Sequence, residues 1–246
     1  MGVETRQEVR VASQFRGPPQ SGNGGYVCGL MAGALAGPVT AMLRAPVPLD
    51  APLTLASDGQ SARLLDEGDR LIGEARCAAL DALPPPPPPP SLAKAQAAGQ
   101  RFVGLQRTFH PICFTCGPGL EDGYGLRVFT GQVEGAPEGE VAGVWTPHPA
   151  FAEADGLVAA EVVWAAIDCP GSVAWVVQGG GGGLLGTMTG AVLRRPAPGE
   201  TLIVTAWPVE RSGRKSLSGA ALFTASGELV AHSHQVWIGR APASPE

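Results

Sequence analysis

Lysine is nearly missing from this chain. Of its 17 basic residues only Lys94 and Lys215 are lysines, and they stand against 22 acidic residues for a formal net charge of −5. With no basic stripe to neutralise phosphates, nucleic acid and anionic membrane surfaces are excluded as principal partners. Long apolar runs are also absent, so no segment reads as a membrane span, and the opening MGVETRQEVRVASQF lacks the apolar core of a secretion signal. The expected address is therefore the cytoplasm. Five cysteines, an odd number, fit a reducing compartment better than a disulfide framework. Two catalytic signatures are missing as well. No GxSxG nucleophile elbow occurs, and the glycine run Gly179 to Gly183 is not followed by the Lys-Ser/Thr of a phosphate loop, so it reads as a loop.

What is present divides the chain in two. At 246 residues and 44% hydrophobic there is material for one large domain or two small ones. Pro84 to Pro90 are seven consecutive prolines, which must run as an extended polyproline II rod of about 22 Å, at about 3.1 Å per residue. Without a flanking Arg the rod reads as a spacer rather than an SH3 or WW ligand. The expected division is an N-terminal unit at 1–83, a linker at 84–107 with an Ala-rich helical stretch, and a C-terminal unit at 108–246. The two units look related. TAMLRAPVPLD from Thr40 matches GAVLRRPAPGE from Gly190, and LIGEA from Leu71 echoes LVAHS from Leu229. Each unit presents an apolar helix and then strands broken by Pro, Gly and acidic turns, which is the signature of a duplicated element. In the second half the strands fall near 184–195, 200–210, 216–225 and 228–238, preceded by alternating stretches at 126–134 and 140–146.

The most informative residue is Asp168. It interrupts GLVAAEVVWAAIDCPGSVAW, Gly156 to Trp175, which otherwise reads as a buried helix. Ionised groups are costly to bury. At helical spacing Glu161 and Asp168 share a stripe roughly 10 Å apart, so they meet solvent in a cleft or carry chemistry. The bland alternative puts Glu161 in a favourable first turn and makes Asp168 a cap for the turn at Cys169-Pro170-Gly171.

One helix followed by four or more antiparallel strands, repeated, describes a sheet wrapped around a helix. Here the chain resembles the hotdog superfamily in its tandem form, the acyl-CoA thioesterase II-like proteins. GELVAHSHQVWIGR, Gly227 to Arg240, resembles the family's last strand with its Gln. WAAIDCPG resembles the helix that carries its Asp, LLGTMTGAVLRRP its Thr-bearing strand, and FRGPPQSGNGGYVCGLMAGAL its entrance loop and helix, with Asn23 where many members have His. The resemblance implies an α+β double hotdog, with a continuous antiparallel sheet around two central helices. It also implies that Asp168, Thr187 and Gln235 position and activate a water that attacks an acyl thioester.

The residue pattern bears on that set independently. Along Leu229 to Trp237 the odd positions are mostly apolar and point inward, taking Gln235 with them, while His232 and His234 share the opposite, solvent-facing side. On 185–193 the same alternation offers Thr187 or Thr189 to partner the Gln235 amide. Three unrelated core polar groups are the alternative. Gly156, Leu157, Glu161, Trp164, Arg194 and Arg195 are the expected substrate-binding residues, the arginines reaching for a nucleotide tail or standing as ordinary surface charges. Cys113-Phe-Thr-Cys116 is a lone CxxC with no second pair and reads as packing in a lead-in loop, so the site is expected to use no metal and no cofactor beyond the CoA of the substrate. The first half, with Leu30 opposite Glu161 and Cys77 opposite Gln235, is expected to be non-catalytic. Partners are then an acyl-CoA or acyl-carrier thioester, and a homodimer of such chains is compatible. The rival function is a non-catalytic acyl-CoA-binding or structural protein of the same fold.

Overall fold

Buried side chains alternate with exposed ones along Ser61–Leu65 and with half-buried ones along much of Leu229–Gly239, the mark of strands with one face turned to a core. The computed structural model describes residues 4–106 and 110–239. Arg107 at the end of the linker and Arg240 after the last strand lie outside the described residues. In chain order the elements are β1 (Thr5–Val9), α1 (Gly24–Ala32), β2 (Val39–Leu43), β3 (Leu53–Ser57), β4 (Ser61–Leu65), β5 (Leu71–Cys77) and α2 (Leu92–Gly99). They continue with β6 (Gly131–Gln132), β7 (Val141–Trp145), α3 (Ala160–Ala166), α4 (Cys169–Val176), β8 (Gly183–Val192), β9 (Leu202–Ser212), β10 (Lys215–Thr224) and β11 (Leu229–Gly239).

The strands form one 11-stranded sheet in the order β1-β3-β4-β5-β2-β8-β11-β10-β9-β7-β6. Every strand pair is antiparallel. Read outward from the centre, β2-β5-β4-β3 and β8-β11-β10-β9 are the same arrangement twice. The halves meet where β2 pairs with β8, from Val39 opposite Gly190 to Met42 opposite Thr187. Thr40 and Thr189 share a 2.9 Å hydroxyl hydrogen bond across this seam. The sheet is therefore continuous, as the repeat implied.

The apolar helices lie on one face of this sheet. α1 packs against α3, and the approach is closer than side chains allow. A Cβ on Gly25 would lie 2.5 Å from the Asp168 Cβ, and one on Gly29 would lie 2.5 Å from the Glu161 Cα and 2.8 Å from the Trp164 Cβ. Trp164 fills the space toward the seam, where a Cβ on Gly190 would meet its ring at 2.9 Å.

Two expectations for the elements are corrected. The helix expected across Gly156 to Trp175 is two helices, α3 and α4, because Ile167 and Asp168 leave helical geometry just ahead of Pro170, which cannot donate a backbone hydrogen bond. The strand expected at 126–134 shrinks to Gly131–Gln132. Leu126 and Val128 donate instead to Phe114 and Thr115, and Arg127 sits at φ 54 in the left-handed region.

The linker is a strap on the outer face of the C-terminal half. α2 buries Ala95 and Ala98 against Val133, Ala142, Ile203, Ala221 and Phe223. In the proline run Pro86, Pro89 and Pro90 are partly buried while Pro84, Pro85, Pro87 and Pro88 are exposed, so one edge of the polyproline II rod lies on the protein. His232 and His234 lie half-buried on this side, with burial pushing both imidazoles below their usual pKa, so they are not the solvent-facing pair expected.

The helix contact yields a direct test. Gly→Ala in an exposed helix is worth up to about 1 kcal/mol of added stability, but Gly29→Ala forces a methyl into the α3 backbone and should cost about 1–3 kcal/mol. Urea unfolding of the variant would show it, and an unchanged or raised midpoint would contradict the close approach.

Candidate active site

Asp168 holds the N-cap position of α4, yet its carboxylate does not cap that helix. It reaches across the molecule instead. Oδ2 accepts a 3.0 Å hydrogen bond from the backbone N–H of Gly25, in the first turn of α1, while the buried Oδ1 has no hydrogen-bond partner among the described residues. Only 2% of the residue is exposed. Burial disfavours the charged form and pushes the carboxyl up to about 7; the Gly25 N–H works against this, the nearby Cys113 adds to it, and Asn23 opposes it.

Asn23 organises the same corner. Its Oδ1 caps α1 by accepting from the Tyr26 N–H at 2.9 Å, and its Nδ2 donates to the Thr115 hydroxyl at 3.2 Å. Thr115 in turn donates to the Ala165 carbonyl at 2.9 Å. The loop carrying CFTC is thereby tied both to the start of α1 and to the end of α3. Phe15, Tyr26, Phe114 and Phe151 close the corner, with Phe15 stacked on Tyr26 at 4.1 Å and Phe114 edge-on to the other three.

Gln235 points inward from β11, as its strand phase implied, and is 2% exposed. Its amide is spent on the chain. Nε2 donates to the Ile167 carbonyl and, at 3.0 Å, to the Ser233 hydroxyl, while Oε1 accepts from Trp237 Nε1 at 2.8 Å and more weakly from Ser218 at 3.4 Å. A Cβ on Gly171 would fall 1.8 Å from Oε1, so the first turn of α4 rests on this amide. Gln235 thus fixes the residue immediately before Asp168.

Thr187 is placed differently from expectation. A bulge at Gly186 reverses the alternation of β8, so that Leu185 and Met188 are both buried. Met188 pairs with Gln235 on the inner face, whereas Thr187 pairs with Val236 and Met42 on the other face, and Thr189 with His234 and Thr40 beside it. The inner row across Gln235 is Ala41, Met188, Gln235 and Ser218. The threonines stand on the side of the sheet away from Asp168.

The expected substrate-binding residues fall into two groups. Glu161 and Trp164 lie on α3 under α1. Gly156 and Leu157 form an exposed loop before α3, with Gly156 at φ 80 and Leu157 36% exposed. Arg195 fastens that loop, pairing with Glu153 and Asp155 and donating to the Leu157 and Val158 carbonyls. Arg194 is paired with Glu200. Both guanidinium groups already have carboxylate partners.

Sequence reasoning missed a third group beside Asp168. The sulfurs of Cys113, Cys116 and Cys169 lie within 4.8 Å of one another. Nothing in the spacing of Cys169, 56 residues beyond Cys113, signalled this.

No protein-family model matches the sequence, and no curated protein matches it at a significant level. Solved structures do match. A hot dog fold protein of unknown function from Alicyclobacillus acidocaldarius superposes with a TM-score of 0.60 at 15% identity, over 97% of this chain and 94% of its own. The fold is a double hotdog. A provisionally named thioesterase from Novosphingobium aromaticivorans matches this double hotdog with a TM-score of 0.63 at 15% identity, over 96% of both chains. The tesB protein of Mycobacterium avium subs paratuberculosis matches it with a TM-score of 0.58 at 17% identity, over 96% of this chain and 93% of that one. At these identities the likeness is one of fold.

Gln235→Met, which keeps the bulk and removes the amide, should lower stability because it strands the Ile167 carbonyl and the Trp237 indole N–H. The expected cost is about 1–3 kcal/mol for each buried group left unpaired. Equilibrium unfolding of the variant checks this, and an unaltered midpoint would mean that the amide does not hold the α3–α4 junction.

Proposed function

We propose that this double hotdog hydrolyses acyl thioesters, with Asp168 as the group that takes a proton from the attacking water. The observation that carries the reading is the buried carboxylate with one oxygen held by Gly25 and the other unpartnered. A buried polar atom without a partner in the chain is costly and calls for an explanation, a catalytic role among them. The thioesterase names among the fold's solved neighbours support the reaction class.

In this mechanism the Gly25 N–H fixes the carboxylate so that Oδ1 faces the water. The water oxygen attacks the thioester carbonyl carbon as Oδ1 accepts its proton. The developing oxyanion is favoured near the positive end of α1, the helix end that already draws the Asp168 carboxylate. Collapse expels the thiol, which recovers the proton. Gln235 positions Asp168 through Ile167, and Thr187 has no part in the step. The substrate is an acyl-CoA or an acyl-carrier thioester. Arg194 and Arg195 can contact a nucleotide tail only by sharing or exchanging their carboxylate partners.

A binding-only reading has its own support, since the Oδ2 bond to Gly25 is also what a purely structural cap of α1 would make. Asp168→Asn separates the two. Asparagine keeps an acceptor for Gly25 and removes the base. The enzyme reading expects hydrolysis across a panel of acyl-CoA thioesters to fall about 10²–10⁴-fold, with melting temperature held or raised because a desolvated charge is gone. A less stable variant with unchanged turnover would support the capping role. A wild type that hydrolyses none of the panel yet is thermally stabilised by one member would support a binding protein.

A further inference from the structure

Three of the five cysteines converge on the flank of Asp168, and none is in a disulfide. The Cys113 and Cys169 sulfurs are 3.6 Å apart, and Cys116 completes a triangle with every side within 4.8 Å. Sulfurs bound to one tetrahedral zinc at about 2.3 Å stand about 3.8 Å apart, so the triangle has the size of three corners of such a site. We infer that Cys113, Cys116 and Cys169 are a zinc site.

The backbone around the sulfurs is arranged for thiolates. Residues 113–117 make a tight turn in which the Gly117 N–H donates to the Cys113 carbonyl at 2.7 Å. A Cβ on Gly117 would lie 2.5 Å from that carbonyl oxygen, so only glycine fits. The Asn23 Nδ2 amide donates to the Cys113 sulfur at 4.0 Å. Cys169 is the first residue of α4, where a helix favours negative charge. The turn itself is held by Thr115, through Asn23 and the Ala165 carbonyl. The sulfurs thus come from two segments that the fold locks together.

Binding exchanges three S–H protons for one Zn²⁺. The protons leave to solvent and the product is a tris-thiolate zinc of net charge −1, a smaller burden to bury than three free thiolates. Thiolate ligands in a small tetrahedral set select zinc over the harder divalent ions. Among the described residues the chain supplies three ligands, and His110, exposed, is not in the group. The fourth position falls to a solvent molecule or small exogenous ligand, entering where Cys116 and Cys169 are partly exposed. Sites with three protein ligands and one exchangeable position are those in which zinc does chemistry. The inference does not depend on thioester hydrolysis.

The test is metal analysis of the full chain purified under reducing conditions without chelator, with cobalt(II) titration of the stripped protein alongside. The zinc assignment expects one zinc per chain, released as a mercurial captures the three thiolates. It also expects a sulfur-to-cobalt charge-transfer band that saturates at one equivalent. Cys169→Ser should lose both zinc retention and that band with an unchanged circular dichroism spectrum; if it fails to fold, the wild-type cobalt titration decides alone. Three freely titrating thiols with no zinc and no charge-transfer band would overturn the inference. A Cys113–Cys169 disulfide forming in preference to metal binding would overturn it too and assign the cluster to redox chemistry.

Discussion

The rest of the molecule depends on how closely α1 and α3 approach. Gly25 and Gly29 let the backbone of one helix lie on the Trp164, Glu161 and Asp168 region of the other, at distances no side chain would permit. That contact brings the first turn of α1, from the N-terminal unit, against a carboxylate from the C-terminal unit. The hydrogen bond from Gly25 to Asp168 follows from it. So does the seam of the sheet, because Trp164, pressed under α1, takes its place beneath Gly190 where β2 meets β8. Neither half has this corner by itself.

Polar cost is concentrated at the corner. A buried carboxylate, a buried amide and three sulfurs gather there, while the remaining core is mostly aliphatic and aromatic. The Gln235 amide is satisfied on all sides by the chain, and the Asp168 carboxylate is satisfied on one. Gln235 braces the junction between α3 and α4, and Asp168 Oδ1 has no partner among the described residues. The strap of α2 and the proline run adds a third layer outside the sheet and buries apolar side chains of the strands that carry Gln235 and its neighbours.

Much of this was legible in the residues. Alternation along Leu229 to Trp237 put Gln235 on the inner face, the repeated LR-P-P pattern foretold two related units, and a carboxylate deep in an apolar run drew attention to Asp168. Failures came where local pattern is overruled. Helical periodicity carried through Ile167 as though Pro170 were absent, which gave Glu161 and Asp168 a common stripe that the break between α3 and α4 removes. A one-residue bulge at Gly186 turned Thr187 to the opposite face, and bulges leave little trace in composition. The cysteine cluster was invisible because Cys169 joins Cys113 and Cys116 only through tertiary structure. The histidines looked solvent-facing because nothing local shows that the start of the proline run, at Pro84, will lie beside His232.

The central claim is that a thioester is bound at the Asp168 corner. The most direct measurement is a crystal structure with an acyl-CoA thioether, in which a methylene replaces the thioester carbonyl and hydrolysis is blocked. The account predicts the methylene carbon within one water of Asp168 Oδ1, beside the first turn of α1. Outside the sheet lies a groove of about 390 Å³, between Pro87–Pro90 and the Thr205–Trp207 stretch of β9. An acyl chain lying in that groove, with the Asp168 corner unchanged, would contradict the account.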